Sequence, residues 1–231
     1  MRPVRICPLL VLRPEPGNTA TCRAAHAHGL HAHAAPLFAY APRGWRLPDA
    51  PHWDGLLVGS AAVFAHGGPA LAGLKDIPVH AVGPTTARAA QNAGFRIAAT
   101  GSGGLQAVVG ALTPGRYLRP AGAAHVPLSP PEGVEVVDVV VYAAEPLPLA
   151  QAAIDLIVRE SVVALVHSAE AARHFAEQCD AHGLPRHTIA LACLAPRIAA
   201  AAGKNWRKVG IAQSADDEAL LSLAQQMCQT V

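Results

Sequence analysis

The 231-residue chain is predicted to be α/β, with two doubly wound parallel-sheet lobes joined by a two-stranded linker. Three observations predict this architecture. The first is local: apolar runs alternate with helix-forming segments, as in VHAVGPTTARAAQNAGF (79–95), where a strand enters a Gly-Pro-Thr-Thr turn and then a helix. The second is repetition. That junction is echoed in IALACLAPRIAAAAGKN (189–205), with Pro196 in the place of Pro84 and Gly203 near the place of Gly94. Likewise DGLLVGSAAVFA (54–65) is echoed in VVALVHSAEAARHFA (162–176), with Ser168 in the place of Ser60. The serines stand 108 residues apart and the prolines 112. The third observation is order. VLRPEPG (11–17) pairs with YLRPAGA (117–123), but its first copy lies at the N-terminus, so one lobe is a circular permutation of the other. The chain then starts in lobe 1 (1–37), builds lobe 2 (38–145) and returns to lobe 1 (146–231), with linker strands near 34–41 and 134–145.

Residues 4–12 read as a buried strand, followed by the turn Arg13-Pro14-Glu15-Pro16-Gly17 and a helix from Thr19 to His28 closed by Gly29. Leu30–Tyr40 is extended, and prolines 36, 42, 48 and 51 keep a helix from running through the first crossing. Lobe 2 follows as βα units: Leu56–Ser60, Val79–Thr86 with Thr85 or Thr86 as a helix cap and Gly94 as its left-handed end, Phe95–Gly101 leading into Leu105–Leu112, and Arg116–Pro120. The helix due after Arg119 is lost, because AGAAHVPLSPPEG holds three prolines and little apolar periodicity. VEVVDVVVY (134–142) is the most strand-like segment and the repeat partner of Leu30–Tyr40. The return comprises a helix from Pro148 to Arg159, strand Val162–His167, the helix containing Phe175, strand Thr188–Leu194 with its helix, and strand Val209–Gln213. Ser214 then caps a last helix with Asp216, Asp217 and Glu218 in its first turn, a capping-box variant with Asp217.

Composition excludes several classes. A net charge of +2 without basic runs and interleaved aromatics argues against nucleic-acid binding. Five cysteines without CxxC or paired spacing suggest neither a disulfide framework nor zinc, as expected of cytoplasmic thiols. The N-terminal apolar run is short, broken by Pro8 and lacks a small-residue cleavage site, so no signal peptide is expected. The longest uncharged stretch, 97–115, is interrupted around Gly101-Ser102-Gly103-Gly104 and is no membrane span. Neither GxxxxGK[ST], GxGxxG nor GxSxG occurs, so the nucleotide and Ser-hydrolase signatures are absent. His26, His28, His31 and His33 invite a metal reading, but Gly29 divides the run into a helix end and a strand start, and no metal is expected.

Ligands of doubly wound sheets bind at the carboxyl ends of strands, beside helix starts. The junction residues Arg13, Ser60, Thr85, Thr86, Ser102, Arg119, Ser168 and Arg197 are therefore the candidate ligand contacts. Ordinary capping explains any one of them; their recurrence in both lobes is the stronger point.

Arg13-Pro14 after the first strand, LLVGSAAV (56–63), AVGPTTARAAQNAG (81–94), VDVVVYAAEP (137–146) and VALVHSAEAARHF (163–175) together resemble the uroporphyrinogen-III synthase family, over nearly the whole chain and in family order. The resemblance implies a HemD-like fold with flavodoxin-like topology, two lobes on a two-stranded ladder, a cleft between them, no cofactor and a monomer. It implies the cyclisation of hydroxymethylbilane, a polycarboxylate linear tetrapyrrole, with loss of water and inversion of ring D through a spiro intermediate. Hand-over from hydroxymethylbilane synthase would follow. It assigns Tyr142 as proton donor and Thr86 as a cleft contact. Helix N-termini and backbone N–H groups suit so many carboxylates, consistent with the small net charge. Gly59 and His167 stand where the family has threonine before its serine, and Arg197-Ile198 replaces a threonine in the second copy. A non-catalytic two-lobed binding module and a degenerate synthase are the competing readings. Tyr142 discriminates, since a mere binder has no need of it.

Overall fold

The computed structural model describes residues 7–229, so residues 4–6 of the first expected strand lie outside the described residues. The chain forms two compact units, one holding everything up to Ala39 and from Pro146 onward, the other Tyr40–Glu145. It opens with β1 (Leu9–Val11), α1 (Gly17–Ala27), β2 (Ala32–Ala34) and β3 (Phe38–Pro42). Next come β4 (Gly55–Val58), α2 (Ala62–His66), α3 (Gly68–Ala72), β5 (Val79–Val82), α4 (Gly83–Asn92), β6 (Ile97–Gly101), α5 (Leu105–Gly110), β7 (Gly115–Gly122) and β8 (Val134–Pro146). The return adds α6 (Gln151–Arg159), β9 (Val163–Val166), α7 (Ala169–Ala181), β10 (Ala190–Cys193), α8 (Pro196–Ala201), β11 (Lys208–Ile211) and α9 (Asp217–Gln229).

The first unit holds a five-stranded sheet ordered β11-β10-β9-β1-β2, parallel throughout. The second holds the order β3-β8-β7-β4-β5-β6, parallel from β8 to β6. Laid side by side, β11-β10-β9-β1-β2 and β6-β5-β4-β7-β8 are one order with its chain start moved. Each strand pair matched by the sequence repeat, β9 with β4, β10 with β5 and β1 with β7, occupies an equivalent place. The chain leaves the first unit within β3 and returns at the end of β8, and these two strands are hydrogen-bonded neighbours.

Both faces of the first sheet are covered, which is why its strands read as unbroken apolar runs. Leu9, Val11, Val163, Leu165, Ala190 and Ala192 face Ala25 of α1 and Leu220, Leu221 and Ala224 of α9. The alternate residues Leu10, Ala164, Val166 and Leu191 face α6, α7 and α8, where Ile157, Phe175 and Ile198 are buried. In the second unit Leu56, Val58, Val79 and Ala81 pack on α2 to α4, and Leu57 packs on Val108 and Val109 of α5. No helix follows β7. The loop that replaces it is held by an exchange of two hydrogen bonds between the Gln106 amide and Ser129, at 2.8 and 2.9 Å.

Two expected caps are displaced. Val82, extended at φ −89°, is the N-cap of α4, and the helix starts at Gly83 (φ +76°) and Pro84, ahead of Thr85 and Thr86. Glycine takes the left-handed φ and proline fits the first turn, so the start needs neither hydroxyl. Gly94 does follow the helix with φ +87°. At α9 the Ala219 N–H is taken by Asp216 Oδ1 at 2.8 Å, and the Ser214 hydroxyl donates to Asp216. Asp217 turns elsewhere.

Candidate functional site

Each sheet has a point where strand order reverses, between β1 and β9 in the first unit and between β7 and β4 in the second. Crevices beyond the carboxyl ends of strands at such points are where doubly wound folds bind ligands.

At the first reversal the chain emerges from β1 into Arg13 and from β9 into His167. The turn after β1 is fixed by Asn18, fully buried, whose side-chain amide donates to the Val11 and Arg13 carbonyls at 2.8 and 2.9 Å. Arg13 Nη1 donates to both carboxylate oxygens of Asp217 at 3.0 Å. The Thr21 hydroxyl donates to Asp217 Oδ2 at 2.5 Å, and His167 Nε2 lies 3.0 Å from Oδ1. The hydrogen bond from His167, then that from Thr21 and the charges of His167 and Arg13, hold the Asp217 carboxyl down at about 2 against desolvation. His167 Nδ1 is buried and has no hydrogen-bond partner. A Cβ on Gly17 would meet Arg13 Nε at 2.4 Å, so the guanidinium lies directly over the bare backbone of α1's first turn.

At the second reversal the principal side chain is Tyr142. The register of β7 and β8 shifts between Ala121 and Gly122, so that Gly122 pairs with Tyr142. A Cβ on Gly122 would meet the Tyr142 ring at 2.8 Å and its hydroxyl at 3.0 Å, so the phenol lies across that glycine at the carboxyl end of β7. Tyr40 meets its ring edge-on at a centroid distance of 5.2 Å, and His66 lies at 6.0 Å. The ring is 9% exposed; its hydroxyl makes no hydrogen bond among the described residues and is not sealed from solvent. Ser60, after β4, accepts the Ala62 N–H at 3.2 Å.

Ser168 caps α7 by accepting the Ala171 N–H at 3.1 Å. Thr85 and Arg197 are exposed on the first turns of α4 and α8, and Thr86 is buried behind Thr85. Ser102 follows β6 at a cavity of about 300 Å³ lined also by His80, Thr100 and Val108. Arg119 departs from the expected pattern. It lies inside β7, 4% exposed, opposite Asp138 in register. Its guanidinium donates to Asp138 Oδ2 at 3.4 Å and to the Val126 carbonyl at 2.9 Å. Asp138 Oδ2 also lies 3.1 Å from His125 Nε2, so this arginine ties the helix-replacing loop to the sheet. Asp217 and Thr21 carried no ligand signal in the sequence; their partners are 204 and 196 residues away.

His26 ends α1, bonding the Ala32 carbonyl at 3.1 Å, while His33 sits on β2. Among the described residues, no group of three or more His, Cys, Asp or Glu side chains could hold a metal. Burial pushes the Cys179 thiol up to about 12 and Cys193 to about 11, which removes both as nucleophiles. Among the described residues, no helix is long and apolar enough to cross a membrane.

The sequence profile of the family described as uroporphyrinogen-III synthase HemD matches residues 20–222. A search of curated proteins gave no match. Among solved structures, the chain is similar to the uroporphyrinogen-III synthetase of Helicobacter pylori 26695, with 14% identity, a TM-score of 0.61, and coverage of 96% of this chain and 99% of that one. It also matches the Thermus thermophilus uroporphyrinogen III synthase at 16% identity, with a TM-score of 0.41 and coverage of 96% and 99%. The first likeness concerns the fold, and the profile match over most of the length settles the assignment: the chain belongs to the uroporphyrinogen-III synthase family.

Proposed function

We propose that the chain converts hydroxymethylbilane to uroporphyrinogen III, as a hydro-lyase that expels water, inverts ring D and closes the macrocycle. The family places it among the enzymes of heme biosynthesis, with a tetrapyrrole substrate. On this chain the reading is carried by Tyr142, whose hydroxyl has no hydrogen-bond partner among the described residues and lies across Gly122 at a strand-order reversal. A phenol so held can donate its proton to the departing hydroxyl. Water leaves, the electron-deficient carbon is attacked by the substituted position of ring D, and the spiro intermediate reopens and recloses with the ring turned over. The proton lost on final closure restores the phenol, so the sequence is redox-neutral and asks for no cofactor. Arg13, Ser60, Thr85, Thr86, Ser102, Ser168 and Arg197 are proposed contacts, because each follows the carboxyl end of a strand, where N–H groups suit carboxylates. The protein would act as a cytoplasmic monomer, receiving the bilane from hydroxymethylbilane synthase.

Tyr142→Phe tests the reading. The unstable bilane loses water and cyclises unaided to the wrong isomer, so holding ring D is the larger task and the phenol supplies a modest share of the barrier. Turnover to isomer III should fall about 10- to 100-fold, or roughly 1.4–2.7 kcal/mol, with the melting temperature nearly unchanged. Full activity in the Phe variant would make Tyr142 mere packing. A non-catalytic binding module would use Tyr142 only as packing in its buried cluster, beside Tyr40 and His66.

A further inference from the structure

We propose that Asp217, braced by His167 and Thr21, is a positioning residue that aims the Arg13 guanidinium at a carboxylate of the substrate. The inference rests on the synthase reading and adds the groups that orient one anchor.

The arrangement divides the guanidinium into two edges. Nη1 is consumed by Asp217 and Thr21. Nε and Nη2 hydrogen-bond to nothing among the described residues, and the side chain is 33% exposed. An arginine binds carboxylates through paired N–H groups in a fixed fork, so with Nη1 held by a protein carboxylate the Nε–Nη2 edge, which passes over Gly17, is oriented and keeps its N–H groups without a protein acceptor among the described residues. A long side chain on a turn would otherwise lose rotamer freedom on every binding event, and preorganisation removes that cost. Gly17 permits the geometry, since any side chain there would displace the guanidinium.

Asp217 must itself be held. It accepts from Arg13, Thr21 and His167, which come from the turn after β1, from α1 and from the end of β9. The His167 side chain is 10% exposed, and Nδ1 finds no partner. A buried ring nitrogen left unsatisfied is costly, so the ring is held for what Nε2 does, which is to fix Asp217. His167 stands where the family resemblance puts threonine, whose shorter side chain has one hydroxyl and no ring nitrogen.

Binding of uroporphyrin I, an octacarboxylate, measured by porphyrin fluorescence, tests the proposal without turnover. Asp217→Asn removes a negative charge beside a polyanion, so simple electrostatics predicts tighter binding. Positioning predicts weaker binding, by about 3- to 30-fold, and a matching rise in KM larger than the fall in kcat. Arg13→Gln should weaken binding about 10- to 100-fold. His167→Leu should follow Asp217→Asn, while His167→Gln, which keeps an N–H for the carboxylate, should recover most of the loss. If Asp217→Asn does not fold, the pair Thr21→Val and Thr21→Ser decides, the serine restoring what the valine loses. Equal or tighter binding by Asp217→Asn, or no difference within the threonine pair, overturns this inference. A wild-type protein that makes no isomer III sinks the synthase reading instead.

Discussion

Single side chains decide this site, and Asp217 shows how. Its carboxyl is held down at about 2, first by the His167 hydrogen bond, so the folded state binds its proton less readily than the unfolded chain does. The corresponding stability is present above the unfolded value of about 3.9 and is lost as pH falls through about 2. The Asp217→Asn variant should therefore lose less stability than wild type between about pH 4 and pH 2 in urea melts. Parallel curves would show that the carboxylate is not held as described. Gly122 makes a second case. Its backbone asks for no left-handed φ, yet a methyl there would reach within 2.8 Å of the Tyr142 ring. Gly122→Ala should displace the phenol, lower turnover at least as much as Tyr142→Phe, and add little on top of that substitution. Additive losses would mean that the glycine acts elsewhere.

Among the elements, α7 ties the first sheet to its helical cover. Ser168 caps it, Phe175 is fully buried, and the Phe175 ring stacks on Trp206 at 5.6 Å and 8° with the Arg186 guanidinium beyond at 5.1 Å. Phe175→Ala should cost about 3–5 kcal/mol and quench the native Trp206 signal together with the fold. A loss under 1 kcal/mol would place the core elsewhere. The helix start of α4 separates two roles for Thr86. Since Val82 and Gly83 begin the helix, Thr86→Val removes no cap, and any fall in activity at unchanged melting temperature would assign its hydroxyl to the site.

At the scale of the molecule, alternation and repeat were legible because the first sheet is covered on both faces, which writes LLV, VALV and ALAC as continuous apolar runs. The permuted order was legible because duplicated junctions keep their serines and prolines. Arg119 was not, because its environment depends on register: only the pairing of β7 with β8 sets it against Asp138, and an arginine near a strand end looks like an anchor until that register is known. The Thr85 and Thr86 caps failed because Gly83 and Pro84 begin the helix earlier. Asp217 was readable only as a charge suited to a helix start; its partners are brought to it by the return of the chain. The second unit is continuous in sequence and its buried clusters lie wholly within it. A fragment spanning residues 38–146 should therefore fold cooperatively on its own, with a single denaturant transition. The central claim meets its most direct test in one mixture: purified protein supplied with enzymatically generated hydroxymethylbilane, the products oxidised and their isomers separated. Isomer III should form in proportion to added protein, above a constant isomer I background. Isomer I alone, at any protein concentration, would contradict it.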